Sequence, residues 1–491
     1  MGNDRTFPPM RSRRLVFYLC SLCLVALVNV CLVQLQQAPN LPSYFALSSF
    51  RPLPTRLWNE TIKPLAGLEC GEYSGPSEET ASEMVYWRDI PSDAEYVSPL
   101  KRNDTRQYLT FEPDEGGFNN IRMAFETSVA LAVSTGRILV LPPRMGFYLL
   151  TDEKKKGTYR LGFEDFYDLG SIAAEQAGLE IIPFHEFLET EAMSGNLLDE
   201  RTGKPSFPPH NRTNWDGFAM NMLAFKDEHG RGLWDWLRSV SLSIDWDPLE
   251  CIAGIPDRPG PEGVAALRRT LELVQEQDEV RKAKIPFNAV KVWRNRYYSF
   301  DGNPAPVNGT ADLRMSEMLA DRTKICLYDE KYQQAKLIHV QGEQRGGNRM
   351  LVHHYAFLFY QSWEQQIWMQ RFIRDHFRYR NELQCAAGRV VEALRTIARE
   401  SGYSDGSFDS AHIRRGDFQF KAMWVSADDI YELNLRKMIQ DQRVLYIATD
   451  ERDKSFFRPL QRHYKVFFLA DFMRLLGDID THYMGTTVSF V

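Results

Sequence analysis

The sequence has few features of the common nucleotide-, zinc- and nucleic-acid-binding classes. It contains neither the G-x-G-x-x-G pattern of dinucleotide-binding folds nor the G-x-x-x-x-G-K-[ST] pattern of P-loop proteins. Its seven cysteines show no zinc-ligand spacing outside one apolar segment near the N-terminus. The formal net charge of −6 argues against a general nucleic-acid binder. What remains is a globular chain of 491 residues, a length typical of two or three domains.

One uncharged apolar run lies near the N-terminus. It is LVFYLCSLCLVALVNVCLV, residues 15–33, and nineteen residues at about 1.5 Å each make roughly one bilayer crossing. An arginine-rich stretch precedes the run, which predicts a cytoplasmic N-terminus. We therefore expect residues 1–14 to be a cytoplasmic tail, residues 15–33 a type II transmembrane anchor, and the remainder of the chain lumenal. A signal peptide, cleaved or uncleaved, is the alternative.

Two features downstream of this run support a lumenal location. Four N-x-[ST] sequons occur there, at Asn59, Asn103, Asn211 and Asn308. Four cysteines also follow the run, at Cys70, Cys251, Cys326 and Cys385. An even number of cysteines in an oxidising compartment predicts two disulfides, and three connectivities are open.

Hydrophobic periodicity divides the rest of the chain into a stem and two α/β halves. Residues 34–104 are rich in Pro, Ser and Glu and predict a stem with little regular structure. A strand at 106–113, a glycine-rich turn with a helix, and the apolar strand RILVLPP follow in that order. This order predicts a βαβ unit and a parallel sheet. One more amphipathic helix is predicted within residues 260–284.

A second alternation of helix and strand occupies the C-terminal part of the chain. A helix is predicted over residues 382–400, followed by a strand that ends in HIRRGDF. A strand and turn at 443–451, a helix, and a strand at 465–472 come next. We therefore predict two α/β domains, residues 105–375 and 376–491, with a cleft between them.

The segment EGGFNN joins the first predicted strand to its helix. Gly116 and Gly117 allow a sharp turn, and the free N–H groups of the helix that follows suit a phosphate or another anion. Judged by its glycines alone, a plain tight turn is the better interpretation.

The segment HIRRGDF is a dense positive cluster. The period of two in a strand places His412 and Arg414 on one side and Ile413 on the other. A guanidinium is the side chain best suited to bidentate contact with a phosphate. The alternatives are a salt-bridged surface cluster in which Asp417 caps the turn, or an adhesive RGD tripeptide, which is too common to carry weight.

Three acidic segments are candidate ligand sites. The D-x-D pairs Asp245–Asp247 and Asp478–Asp480 match the metal-binding pattern of some sugar transferases, but D-x-D is so frequent that solvated surface is the better interpretation. Asp450 ends a predicted strand at the edge where open α/β sheets bind ligands. Capping of the next helix is the alternative role for Asp450.

Three of these segments together resemble one family. GGFNNIRMAFETSVALAVSTGRILVLPP, HIRRGDF and LYIATDE occur in the order seen in the GDP-fucose protein O-fucosyltransferases, and the sequence resembles that family, most closely its fungal-type branch, over roughly residues 105–482. The resemblance implies a single-pass type II protein of the Golgi or endoplasmic reticulum. It also implies a GT-B-like fold of two Rossmann-like domains facing a cleft, preceded by a transmembrane helix and stem, with the donor in the cleft.

The resemblance assigns roles to individual residues. It implies that His412 and Arg414 face the diphosphate of GDP-fucose, and that Asn119, or Asn120 in the alternative register, contacts the donor or acceptor. The donor-binding set that it implies comprises Gly116, Gly117, Asn119, Asn120, His412, Arg414, Asp417 and Asp450. The implied reaction is an inverting transfer to a Ser/Thr hydroxyl in which Arg414 stabilises the leaving phosphate, so that no metal or other cofactor is expected.

The sequence departs from the family pattern at two places. Glu115 lies one residue earlier than the general base of some members, so either Glu115 reaches the acceptor hydroxyl or there is no side-chain base and the donor dissociates early. Only TTVSFV follows THYMG, where the family continues with a strand and a loop that closes over the nucleotide, so we expect the domain at residues 376–491 to be incomplete through truncation or altered splicing. The expected partners are GDP-fucose and a secreted or membrane protein acceptor, while the alternatives are a glycan acceptor or an inactive, ligand-binding protein.

Overall fold

The computed structural model of the protein describes eleven parts of the chain. They are residues 67–87, 91–113, 118–144, 161–169, 178–208, 232–284, 310–319, 322, 324–342, 352–415 and 424–476. Within these parts no helix has both the length and the apolar character that a bilayer crossing needs. The anchor predicted at residues 15–33 lies outside the described residues and stays a prediction.

The described residues form an α/β fold. Its strands are β1 (Tyr108–Phe111), β2 (Ile138–Val140), β3 (Ile181–Ile182), β4 (Leu242–Ile244), β5 (Cys251–Ile255), β6 (Lys324–Leu327), β7 (Leu337–Val340), β8 (Leu358–Tyr360), β9 (Asp409–Ile413), β10 (Val444–Thr449) and β11 (Lys465–Phe467). Its α-helices are α1 (Glu78–Met84), α2 (Phe118–Thr135), α3 (Phe184–Phe187), α4 (Leu233–Ser239), α5 (Gly260–Lys284), α6 (Ala311–Leu319), α7 (Glu330–Gln334), α8 (His354–Phe357), α9 (Trp363–His376), α10 (Asn381–Glu400), α11 (Ala427–Ile430), α12 (Arg436–Met438) and α13 (Arg458–Gln461). Short 3₁₀ turns include Gly71–Tyr73, Pro91–Glu95, Phe163–Asp165, Lys454–Phe457 and Leu469–Leu475, and π turns lie at Leu188–Ala192 and Tyr431–Leu435.

The chain divides into two compact units. The larger unit is Val85–Gln384, and the described part of the smaller unit is residues 67–84 together with 385–476. The larger unit contains a five-stranded sheet in the order β3-β2-β1-β7-β4 and a three-stranded sheet in the order β6-β5-β8. All the strand pairs in both sheets are parallel, as the strand–helix alternation predicts.

The predicted βαβ unit is confirmed as β1, α2 and β2. The two strands pair in parallel, with Leu109 opposite Leu139. Helix α2 is buried on all sides from Ala124 to Thr135, although this stretch contains hydroxyl side chains. Those hydroxyls donate to carbonyls one turn earlier, as from Ser128 to Ala124 at 3.0 Å, so the helix satisfies its own polar groups in the core.

Both predicted disulfides form, and the connectivity is resolved. Cys251 on β5 bonds Cys326 on β6 within the larger unit. Cys70 bonds Cys385 on α10 within the smaller unit. Residues 67–84 fall in the segment predicted to be stem, yet they include α1 and are covalently joined to α10.

Close packing accompanies the second disulfide. A Cβ added at Gly388 of α10 would lie 2.7 Å from Cγ of Pro76. Glycine at this position therefore lets the segment before α1 approach the helix backbone. The guanidinium of Arg395 on α10 also pairs with the carboxylate of Glu83 on α1.

The smaller unit is built on the three-stranded parallel sheet β11-β10-β9. Every residue of β10 is buried, and its side chains alternate between two cores. Leu445 and Ile447 pack with Leu460 of α13, whereas Tyr446 packs with Leu394 of α10. A strand that helices cover on both faces has apolar residues at successive positions. The apolar run VLYIAT therefore predicts β10 well.

The strand predicted over residues 465–472 is wrong in its second half. Only Lys465–Phe467 is strand, and Leu469–Leu475 is a 3₁₀ helix. The carboxylate of Asp471 accepts the backbone N–H of Phe468 at 2.8 Å, which starts the helical turn. An apolar run interrupted by an aspartate at this spacing thus favours a capped turn over a longer strand.

Candidate functional site

The residues of HIRR lie where β9 ends. Strands β9 and β10 are parallel, with His412 opposite Ala448 and Ile413 opposite Thr449. Their carboxyl ends therefore lie side by side, and Asp450 follows β10 directly beside the arginines. The carboxyl edge of a parallel sheet is the usual place for a ligand in an open α/β fold.

The two sides of β9 have opposite character. Ile413 packs against the apolar core that contains Leu445 and Ile447. His412 and Arg414 are both exposed, and 44% of the Arg414 side chain is open to solvent. The alternation predicted from the period of two is therefore observed, and it presents an imidazole and a guanidinium together at the strand end.

Arg415 is used differently from Arg414. Its guanidinium lies 3.7 Å from the ring centre of Phe456 and 4.9 Å from that of Trp424. It also donates to Glu451 at 3.2 Å and to the carbonyl of Val425 at 3.0 Å. These contacts hold Arg415 within the fold, where it joins the ends of β9 and β10 to the segment before α11.

Asp450 is connected to both arginines. One carboxylate oxygen accepts the backbone N–H of Arg415 at 2.6 Å, and the other lies 3.8 Å from Nε of Arg414. The helical turn that follows is capped by Asp453, whose carboxylate accepts the N–H of Ser455, so Asp450 does not cap it. Asp450 instead fixes the backbone after β9 and balances part of the charge of Arg414.

The surroundings of His412 favour its neutral form. Desolvation by the surrounding protein lowers the pKa of His412, the charge of Asp450 raises it, and that of Arg414 lowers it. The net direction is below the usual value of 6.5, so the imidazole is mainly neutral at pH 7. A neutral imidazole still offers one N–H donor to an anion while Arg414 supplies the positive charge.

The structure does not test the other predicted site residues as members of this group. Asn119 and Asn120 begin α2 in the larger unit, the first exposed and the second half-buried. Glu115, Gly116, Gly117 and Asp417 lie outside the described residues. The structure thus brings His412, Arg414 and Asp450 together and leaves the other assignments as predictions.

Comparison with protein families gives one assignment. The model of the family described as GDP-fucose protein O-fucosyltransferase matches residues 108–475. The chain belongs to this family. A comparison with individually curated proteins finds no match. The matched range begins at the first residue of β1 and includes the three segments on which the resemblance was based.

In this chain the first D-x-D pair does not resemble a metal site. Asp245 is exposed, Trp246 between the two acids is buried, and Asp247 accepts the backbone N–H of Leu249 at 2.8 Å in a turn. Across the part of the chain that the structure describes, no group of three or more His, Cys, Asp or Glu residues is arranged to hold a metal ion. The second D-x-D pair, Asp478–Asp480, lies outside the described residues.

The larger unit also contains a buried polar network that sequence patterns do not reveal. Glu112, just after β1, accepts from Nε of Arg238 at 2.9 Å and lies 3.1 Å from Nε2 of His339. The other His339 nitrogen lies 2.9 Å from the hydroxyl of Thr110, and the second oxygen of Glu112 accepts the N–H of Gly342 at 3.2 Å.

This network fixes the carboxyl end of β1, which Glu112 follows. Burial lowers the pKa of His339, although its hydrogen bond with Glu112 opposes that effect. A neutral imidazole fits both contacts if Nε2–H donates to Glu112 and Nδ1 accepts from Thr110. In the sequence this network is marked only by Glu112, a charged residue directly after a buried strand. Its partners Arg238 on α4 and His339 on β7 lie more than 120 positions away.

Proposed function

We propose that this protein transfers fucose, with inversion and without a metal ion, from GDP-fucose to a Ser/Thr hydroxyl of a protein in the secretory pathway. The observation that carries the proposal is the contrast between two adjacent arginines. Arg415 is held by Phe456, Trp424 and Glu451, whereas Arg414 and His412 are exposed at the carboxyl edge of the sheet. Family membership over residues 108–475 supplies the donor class.

In the proposed reaction the diphosphate of the donor accepts hydrogen bonds from His412 and Arg414. The acceptor oxygen bonds to C1 of fucose as the bond from C1 to the phosphate oxygen breaks on the opposite face, so the configuration inverts. Negative charge grows on the departing GDP, and the guanidinium of Arg414 stabilises it more strongly than it stabilises the intact donor. The proton of the acceptor hydroxyl passes to the carboxylate of Glu115, the proposed general base.

The proposed location is lumenal, in the Golgi or endoplasmic reticulum, with a type II anchor at residues 15–33. Two disulfides that join distant parts of the chain support an oxidising compartment. The arginine-rich stretch before the apolar run supports the orientation.

Transfer is expected to survive removal of metal ions. Because Arg414 provides the positive charge at the leaving phosphate, fucose transfer measured with radiolabelled donor in EDTA should match that without EDTA. Calorimetric titration of GDP in the same buffers provides the control for donor binding. Loss of transfer in EDTA with recovery in Mn²⁺ would contradict the proposal, and absence of GDP binding in every buffer would favour the ligand-binding or inactive alternative.

Two nearby glutamates provide a matched test of the general base. We expect Glu115→Gln to lower kcat about 100-fold, a typical contribution of general base catalysis, with little change in stability. Glu112→Gln removes the counter-charge of Arg238 and is expected to cost about 1–3 kcal/mol of stability with kcat near that of the parent. Unfolding in urea and transfer kinetics should be measured on both variants. A large loss of kcat in Glu112→Gln with normal kcat in Glu115→Gln would make Glu112 the reactive carboxylate. Unchanged kcat in both variants would favour early dissociation of the donor.

A further inference from the structure

A polar groove lies at the end of the five-stranded sheet opposite Glu112, which follows the carboxyl end of β1. It is an open cavity of about 320 Å³. Gln107, Arg137 and Glu180, which line it, come directly before β1, β2 and β3. These parallel strands begin at the same edge, so the groove lies at their amino ends. Nucleotides bind open α/β sheets at the other edge, which argues against the groove as the donor site.

The two carboxylates that line the groove pair with two of its four cationic side chains. Arg102 pairs with both carboxylate oxygens of Asp104, at 2.5 and 3.0 Å, and Arg106 pairs with Glu180. Arg137 is buried and donates to neutral oxygens, including the hydroxyl of Tyr328 at 2.8 Å. A surface this rich in hydrogen-bond donors and acceptors, two of them paired carboxylates, suits a hydroxylated ligand.

The rim of the groove carries a glycosylation sequon. Asn103, Asp104 and Thr105 are exposed and form a bend of the chain. Within the described residues, neither the Asn103 amide nor the Thr105 hydroxyl has a hydrogen-bond partner, so both are available to another protein. The other three sequons lie outside the described residues. The two disulfides independently indicate the compartment in which sequons are modified.

The turn after α2 shapes the floor of the groove. Gly136 has a φ of +66°, and a Cβ added there would lie 2.5 Å from Cβ of Lys101. Glycine therefore allows the segment that carries the sequon to lie directly against the start of β2. Because of this close approach, a sugar attached at Asn103 is within reach of the groove as well as of solvent.

We propose that Asn103 carries an N-linked glycan whose first sugar residues lie in this groove. In the modification Nδ2 of Asn103 bonds to the anomeric carbon of a lipid-diphosphate-linked oligosaccharide, supplied with its transferase by the host cell. The bond from that carbon to the diphosphate oxygen breaks, the amide loses one proton, and the lipid diphosphate leaves. Lys101, Arg106 and Glu180 then offer donors and acceptors to the sugar hydroxyls and acetamido groups.

The modification is tested on the full chain expressed through the secretory pathway of a eukaryotic host. Site-resolved mass spectrometry should find the glycan on the peptide that contains Asn103. Asn103→Gln and Thr105→Ala should each abolish it, whereas Thr105→Ser, which keeps the sequon, should retain it. GDP binding should be equal in all three variants, so this test is independent of the proposed transferase activity. An unmodified Asn103 in the parent chain would overturn the proposal.

The position of the glycan in the groove is tested on the same samples. Backbone hydrogen exchange of residues 101–107 and 178–182 should be slower in the glycosylated parent than in Asn103→Gln or Thr105→Ala. Protein trimmed to a single sugar by an endoglycosidase should retain most of this protection, because the first residue makes the nearest contacts. Equal exchange in the glycosylated and unglycosylated forms would show that the glycan projects into solvent and would overturn the groove assignment.

Discussion

Arg414→Ala is expected to lower kcat for fucose transfer by about 100- to 1000-fold, the usual loss when one preorganised group that stabilises a transition-state charge is removed. The side chain lies at the carboxyl end of β9 with its Nε 3.8 Å from Asp450, and 44% of it is exposed. Lysine at this position should restore little activity, because an ammonium cannot grip two phosphate oxygens in one plane. Transfer kinetics with a saturating acceptor should be measured together with GDP affinity.

Arg415→Ala is the matched control. Its guanidinium is enclosed by Phe456 and Trp424, and only 16% of the side chain is exposed. We expect a loss of about 1–3 kcal/mol in stability, more than an exposed ion pair contributes, with kcat of the folded enzyme near that of the parent. An inactive but stable Arg415→Ala beside a near-normal Arg414→Ala would contradict the assignment of the two arginines.

Asp93→Asn is expected to destabilise the larger unit by about 3–5 kcal/mol, the cost of breaking a buried charge network. The Asp93 carboxylate is 1% exposed. It accepts from Nη1 of Arg371 at 2.7 Å and from Nε1 of Trp368 at 3.1 Å, and lies 2.8 Å from Nε2 of His376. It thereby fixes the turn at Pro91–Glu95 onto α9. Unfolding in urea, followed by tryptophan fluorescence, measures the loss.

The same carboxylate predicts acid sensitivity. Burial would raise the pKa of Asp93, but hydrogen bonds from His376 and Arg371 outweigh burial and lower the pKa to about 2. Its contribution to stability is therefore complete above the usual value of 3.8 and is lost as the pH falls from about 4 toward 2. The Asn variant should lack this part of the pH dependence.

Asp104→Asn is the control for Asp93. It removes a carboxylate from an exposed pair with Arg102 in the same unit and should change stability little. Similar losses in the two variants, or an unchanged acid transition in Asp93→Asn, would show that the Asp93 network does not stabilise the unit.

The features predicted well from the sequence are those determined by neighbouring residues. VLYIAT is apolar on both faces because helices cover both sides of β10, and the helix at Asn381–Glu400 has a clear apolar stripe. The outward direction of His412 and Arg414 follows from the period of a strand that ends one residue before Arg414. The expectation that GDP-fucose is the donor came from the family resemblance, because hydrophobic periodicity does not determine a substrate.

The features not predicted depend on contacts between distant segments. Strand β7 lies between β1 and β4 in the sheet, although more than 220 residues separate it from β1. Its four residues, LIHV, contain a histidine that a buried strand ordinarily avoids. His339 is tolerated there because Thr110 and Glu112 satisfy both of its nitrogens, which is visible only once the strands are paired.

The disulfide between Cys70 and Cys385 has a consequence for biosynthesis. The two cysteines are 315 positions apart, whereas Cys251 and Cys326 are separated by 75. At a synthesis rate of about 5–20 residues per second, Cys70 precedes its partner by roughly 15 to 60 s. During that interval both cysteines of the larger unit emerge and can pair with each other. Formation of this disulfide therefore requires Cys70 to remain reduced, or to be reshuffled by an isomerase, until Cys385 has emerged from the ribosome.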